Sequence, residues 1–471
     1  MAAASAAAVD RDRIPATASS LGRAAIPMAS SVRSLQARSF GALDGLIGDA
    51  RVVGLGEGEH AVHELLLLRN RLFEHLVERL GFTAIAVESG FTEGTAVDDF
   101  VLGGDVPLTP GLAGAVFTFW PYAMQENREL IEWMRAFNAR PTTRRKIRFY
   151  GLDMMGRGDH PEGLPGLACA RQPFDAALQY LETFAPEEVA SFRDRLEPAL
   201  ARIHSSNYGA LSAAQREQLT TAIADLVALF ERRHVEWVRR SGALAYHRAH
   251  RNAMNARGID ADLRAGGFWG PVPSVGSVAS IDIAQRDAQL ASSVRWVLER
   301  EGSHGRVLVF AHDTHLTKSP YYRSENGDEP FGPDPFISPM QPVMGMHLRE
   351  SLGGEFISIG TFFGTDVTRI EPGAFPTAHP QGLDGPEGLF ARAAGHGVFA
   401  IDWRALQGLP EIRAELDRPW RVQFSPGMKP ANPRARLAIN PLRSFDAVIF
   451  VRAAGKAHPS MPGTTYLCGG V

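Results

Sequence analysis

The chain has 471 residues, 45% of them apolar and 21% charged, with a formal charge of -3. That is the balance of a globular chain with an ordinary core and a substantial insertion, and it leaves no broad basic field for nucleic acid. Two cysteines, Cys169 and Cys468, make neither a disulfide framework nor a Cys-based zinc site and fit a reducing cytoplasm. No apolar run reaches the ~18 residues that a membrane-spanning helix needs, so no membrane partner is expected.

The Ala-rich start lacks the basic region and Leu-rich core of a secretory signal, and residues 1–25 read as a disordered or weakly ordered arm. A helix is expected over residues 31–47. Arg51-Val52-Val53-Gly54-Leu55 predicts a strand entering a Gly-rich turn, Gly56-Glu57-Gly58-Glu59-His60. Residues 63–80 place Leu65, Leu68, Leu72, Leu76 and Leu80 at helical spacing, with Gly81 as C-cap. Thr83-Ala84-Ile85-Ala86-Val87 predicts a buried strand ending at Glu88. Such a βαβ unit implies parallel strands.

Helices are expected over 94–101 and 125–138, the second with Leu130, Trp133, Met134 and Phe137 on one face. A third strand, Lys146-Ile147-Arg148-Phe149-Tyr150, runs into Gly151-Leu152-Asp153. From 174 to 265 the pattern is helical throughout, a helical insertion or cap assigned to 171–270. A Gly-, Pro- and Ser-rich loop over 266–280 and a helix over 287–300 follow. Arg306-Val307-Leu308-Val309-Phe310-Ala311 predicts a buried strand that delivers His312 and His315. Residues 321–341 read as a surface loop near the site, and 356–359 and 447–451 as strands of a mixed C-terminal extension. The expected fold class is α/β: a mostly parallel central sheet flanked by helices, its core contributed by 26–170 and 271–471.

The chemistry gathers at strand ends. Glu57 and His60 follow the first strand, Glu88 ends the second, Asp153 follows the third, and His312 and His315 follow a fourth. In open parallel sheets ligands bind outside the carboxyl ends of the strands, so these residues define a candidate site for a small molecule. The bland readings are a helix N-cap loop for His60, a capping role for Asp153 and a core hydrogen bond for one of His312 and His315. Glu88 ends an apolar strand, where a carboxylate must find partners. His63 and Glu64 read as structural, Glu64 complementing the helix dipole. From position alone Arg286-Asp287 is a surface pair, and Trp120, Trp133 and Trp237 are packing residues.

Histidine is the natural general base near neutral pH, and a carboxylate such as Glu57 or Glu88 would orient it. No nucleophile elbow G-x-S-x-G is present and no cysteine lies near the motifs, which makes direct attack by activated water the simpler course. A zinc or iron site built from the same His and Glu residues stays open, as does a non-catalytic binding cleft. Gly54-x-Gly56-x-Gly58 lacks dinucleotide spacing, and its neighbours Glu57 and Glu59 would repel phosphate.

Val53-Gly54-Leu55-Gly56-Glu57-Gly58-Glu59-His60, His63-Glu64, Ala86-Val87-Glu88-Ser89 and Trp120-Pro121 together resemble the erythromycin esterase family. So do Arg148-Phe149-Tyr150-Gly151-Leu152-Asp153-Met154, Arg286-Asp287, Ala311-His312-Asp313-Thr314-His315 and Met344-Gly345-Met346-His347-Leu348. The likeness spans about residues 50–365, with an echo at 445–451. It implies an α/β core with helical additions and ester hydrolysis without metal or other cofactor. It makes His60 the general base, Glu57 its neighbour, and Glu88 and His312 further essential residues. His315, Arg286 and Asp153 become substrate contacts. The implied reaction is hydrolysis of an ester or lactone of a small natural product, with acyl transfer or cyclisation on the same scaffold as the alternative. The family usually reads G-E-x-(T/S)-H-G, whereas here Glu59 precedes His60 and Ala61 follows it.

Overall fold

A computed structural model describes residues 13–117, 124–154, 170–200, 208, 210–265, 284–320, 322–324, 342–364, 386–393, 395, 397–417, 420–422, 436–452 and 454. Trp120, Cys169, Cys468, the 266–280 loop and all of 321–341 except 322–324 lie outside these residues. The described elements begin with α1 (Arg13–Ala24), β1 (Ile26–Ala29), α2 (Asp44–Ile47), β2 (Val52–Glu57), α3 (His63–Leu80) and β3 (Ala84–Gly90). Next come α4 (Phe91–Val101), α5 (Pro110–Gly114), α6 (Gln125–Ala139), β4 (Arg148–Asp153), α7 (Gln172–Phe184), α8 (Pro186–Leu200) and α9 (Ala213–Arg232). Then follow α10 (His234–Ser241), α11 (Ala243–Ala265), α12 (Ala284–Glu301), β5 (Val307–His312), α13 (Asp313–Leu316), β6 (Tyr322–Ser324) and α14 (Met344–Leu352). The last are β7 (Phe356–Phe363), α15 (Pro386–Ala393), β8 (Val398–Asp402), α16 (Pro410–Leu416), β9 (Trp420–Val422), β10 (Arg436–Ile439), α17 (Pro441–Ser444) and β11 (Ala447–Val451).

The fold is α/β, with eight of the described strands in a mostly parallel, mixed sheet flanked by helices. The chain divides into two compact units. The first comprises residues 1–85, 276–279 and 298–458, and the second 86–275, 280–297 and 459–471.

In the first unit the strand order is β1-β8-β11-β7-β2-β5. β2 pairs in parallel with β5 and β7, and β7 in parallel with β11, while β8 and β1 run antiparallel at the edge. Every residue of β2, β5 and β11 is buried, the pattern of strands covered on both faces. The leucines of α3 that set its period, Leu65, Leu68, Leu72 and Leu76, are fully buried, and Gly81 caps the helix in the left-handed region at φ 71°. A satellite core joins Phe390, Phe399, Ile401 and Phe450 to Leu21 of α1.

Three stretches differ from expectation, the third being residues 322–324 inside the 321–341 stretch read as a loop. Residues 13–24, read as part of an arm, form α1, and Ala18 and Leu21 on it are buried, so apolar burial orders a segment whose composition looked featureless. Residues 31–47 are not one helix: 3-10 turns at 32–34 and 37–43 precede the single turn of α2. A separate three-stranded antiparallel sheet, β6-β10-β9, includes residues 322–324.

The second unit takes in β3 beyond Ile85, β4, α4 to α11 and α12 up to Val297. Helices α7 to α11 build one apolar core from Phe174, Leu181, Leu196, Leu226, Phe230 and Trp237. Trp237 is fully buried, its ring 5.1 Å from Phe230 and 5.6 Å from Tyr180, which makes it a packing residue as expected. Buried Asp98 on α4 binds Arg148 of β4 at 2.5 Å and Arg248 of α11 at 2.7 Å, so one carboxylate fastens the helical layer to the strand.

Candidate active site

In the first unit β2 and β5 run in register to their last residues, so that Glu57 lies opposite His312. Parallel pairing thus brings two chemical motifs, some 250 residues apart in sequence, to one sheet edge. Glu57 is buried, 1% exposed, and both of its carboxylate oxygens are used. Oε2 meets Nδ1 of His60 at 2.7 Å, and Oε1 accepts the Ala61 N–H at 3.2 Å. His60 keeps 21% of its side chain exposed and lies with its ring centroid 4.9 Å from that of His312, the planes 61° apart.

Hydrogen-bond chemistry assigns the two rings opposite roles. An ionised carboxylate only accepts, so the neutral His60 ring carries its proton on Nδ1, and Nε2 is its acceptor nitrogen. The backbone N–H of Thr314 only donates and points at Nδ1 of His312 at 3.3 Å, with the Thr314 hydroxyl at 2.8 Å. The neutral His312 ring therefore carries its proton on Nε2. One imidazole is set to take a proton and the other to give one. His315 is buried at 6% exposure on the short α13 that follows, while His63 and Glu64 open α3, Glu64 in its first turn.

The turn that carries His60 is closely packed. A Cβ at position 56 would come within 1.6 Å of Asp313 Oδ1, and one at 58 within 2.5 Å of the Thr361 carbonyl oxygen. These glycines allow the close approach of strand and loop. Ala61 adopts φ 59°, a left-handed conformation that costs a residue with a Cβ about 1–2 kcal/mol. A glycine would adopt this angle without that cost. Ala61→Gly is accordingly expected to change unfolding free energy by less than about 1 kcal/mol, relief of strain offsetting lost backbone restriction and the buried methyl. Ala61→Val should lose about 2 kcal/mol or more, because a β-branched side chain tolerates this angle poorly. Urea unfolding of the two variants checks the contrast.

In the second unit Glu88, Asp153 and Arg286 come together. Arg286 Nη2 lies 2.7 Å from Glu88 Oε1 and 2.6 Å from Asp153 Oδ2, and Nε lies 2.8 Å from the same Asp153 oxygen. All three are at most 5% exposed. Burial works against the guanidinium charge, but the charges of Asp153 and then Glu88 more than offset it, holding Arg286 above the usual arginine range. Positional reading of Arg286-Asp287 as a surface pair is therefore overturned: both residues are buried. A basic residue in the first turn of an amphipathic helix looks solvated from sequence, and only the carboxylates at the ends of β3 and β4 reveal its task.

Sequence reasoning missed Thr361 and the support that Asp313 and Thr314 give. Thr314 and Asp313 were visible inside the His312 motif, whereas Thr361 carried no local signal. Among the described residues, no group of three or more His, Cys, Asp or Glu side chains is placed to hold a metal ion. Among them too, no helix is long and apolar enough to cross a membrane.

A buried carboxylate thus holds a partly exposed histidine at the end of a parallel strand of an α/β chain. The chain belongs to the erythromycin esterase family, whose model matches residues 77–454. It is 27% identical over 330 residues to an Escherichia coli erythromycin esterase type II, covering 68% of this chain and 71% of the relative. To an erythromycin esterase type I, also from Escherichia coli, it is 23% identical over 294 residues, 61% of this chain and 67% of that one. The fold matches the crystal structure of a Bacillus cereus protein with TM-score 0.71 at 20% identity, over 95% of this chain and 99% of that one. It also matches a mutant erythromycin esterase in its open conformation, with TM-score 0.62 at 18% identity, over 92% and 98% of the two chains.

Proposed function

We propose that this chain is a hydrolase that cleaves an ester or lactone of a small natural product with water activated by His60. The observation that carries the reading is the 2.7 Å bond from His60 Nδ1 to the buried Glu57 carboxylate, which makes Nε2 the basic nitrogen. Water attacks the acyl carbon as its proton passes to His60 Nε2, and Glu57 stabilises the imidazolium that forms. The proton on His312 Nε2 meets the oxyanion of the tetrahedral intermediate. When the intermediate collapses, the acyl C–O bond breaks and His60 returns its proton to the leaving alkoxide. Kinship with two erythromycin esterases supports ester or lactone substrates.

A mass-spectrometric turnover screen of esters, macrolides and other lactones, run with wild type and His60→Ala side by side, tests this reading. Gain of one water by a substrate with wild type alone supports it. Turnover that survives in His60→Ala removes His60 as the base. Metal analysis of the purified protein addresses the rival chemistry: stoichiometric zinc or iron on which turnover depends contradicts a mechanism carried by His60 and Glu57.

A further inference from the structure

The β2–β7 ladder runs in parallel register from Val52↔Phe356 to Leu55↔Ile359. Continued by two residues, it would set Thr361 opposite Glu57. In a parallel ladder, alternate residues of a strand donate their N–H to the carbonyl before, and accept the N–H after, the residue opposite; for Glu57 those groups are the carbonyl of residue 56 and the N–H of residue 58. Here a side chain fills both places. The Thr361 hydroxyl donates to the Gly56 carbonyl at 2.9 Å and accepts the Gly58 N–H at 2.9 Å. The backbone N–H of Thr361 turns instead to the Asp313 carboxylate, at 3.2 and 3.3 Å from its two oxygens. That same carboxylate occupies the space where Gly56 has no Cβ.

We propose that Thr361 is a positioning residue for the Glu57–His60 pair, its hydroxyl clamping the peptide groups on both sides of Glu57. The inference rests on the general-base reading of His60. Glu57 lies between the two clamped peptides, so the direction of its carboxylate follows from theirs. Thr361 is itself 1% exposed and held from behind by Asp313, which gives the clamp a fixed anchor. A hydroxyl suits the task because it donates once and still accepts, which neither a valine nor an alanine side chain does.

The test compares Thr361→Val and Thr361→Ala, which remove the hydroxyl, with Thr361→Ser, which keeps it. Nitrogen NMR shifts of the imidazole rings, with the His60 signal assigned by its loss in His60→Gln, report the tautomer above the histidine titration range. Wild type and Thr361→Ser are expected to hold the His60 proton on Nδ1. Thr361→Val and Thr361→Ala should shift the ring towards the Nε2–H form that histidine prefers in water. Their kcat on a cleaved ester should fall about 10- to 100-fold, with KM little changed. Unchanged tautomer in the hydroxyl-free variants overturns the proposal, as does equal loss in Thr361→Ser. If Thr361→Val does not fold, the alanine and serine variants carry the comparison. The tautomer readout needs no substrate, so it judges the clamp separately. Turnover surviving His60→Gln would defeat the general-base reading without altering the nitrogen shifts.

Discussion

Replacing His60 by glutamine is expected to lower kcat on a cleaved ester or lactone by about 10²- to 10⁴-fold, the range a positioned general base contributes. This corresponds to roughly 3–5 kcal/mol of transition-state stabilisation. Glutamine retains a group able to donate to Glu57, so the buried carboxylate is not stranded and the fold should persist. His60 is also 21% exposed, which limits the packing lost on substitution. The expected signature is therefore a fall in kcat with KM and the unfolding midpoint little changed, because a proton acceptor is used in the transition state more than in binding. Steady-state kinetics beside thermal unfolding checks it. A loss below tenfold, or one that tracks lost stability, argues that His60 is not the base.

Arg286→Met is expected to destabilise the second unit by about 3–5 kcal/mol. Methionine matches much of the length of arginine and supplies no charge, so Glu88 and Asp153 would remain together in a buried setting without their cation. The cost comes less from the lost attraction than from the two carboxylates left behind. Neutralising them in the same chain, as Arg286→Met with Glu88→Gln and Asp153→Asn, should recover a large part of the loss. Urea unfolding of the single and triple variants separates the two contributions. A single variant within about 1 kcal/mol of wild type would mean that the triad is solvated in solution and not a buried ion cluster.

Much of the fold is legible in the sequence because its central strands are apolar runs and α3 has a strict period. Strands β2, β3, β4, β5, β7 and β11 all lie where apolar runs placed them, and Gly81 ends α3 as its position after Leu80 suggests. Strands β1 and β8 were not foreseen: each is short, and β1 contains Pro27, so tertiary pairing decides them more than local preference. The same override orders α1 through the burial of Leu21.

At the site, Glu57 and His60 stand three residues apart; the residues alone left Glu57 and Glu88 open as the carboxylate beside the histidine, and the family resemblance pointed to Glu57. Their proximity to His312 needed only the idea of adjacent strand ends. The tautomers were not readable, because they depend on which ring nitrogen meets the Glu57 carboxylate in His60 and the Thr314 N–H in His312, directions that no residue type encodes. Nor was the Thr361 hydroxyl, some 300 residues from Glu57 in sequence, since a threonine inside a strand has no local mark of function. Arg286 shows the opposite failure: local context pointed to solvent, and the charges that claim it come from β3 and β4.

The most direct test of water activation is a single turnover in heavy-oxygen water, with enzyme in excess over a cleaved ester and the products read by mass spectrometry. Attack by water held at His60 predicts one heavy oxygen in the acid product of that first turnover and none in the protein. An unlabelled acid, with heavy oxygen appearing instead in Glu57 or another enzyme carboxylate, would show a side-chain nucleophile and contradict the account.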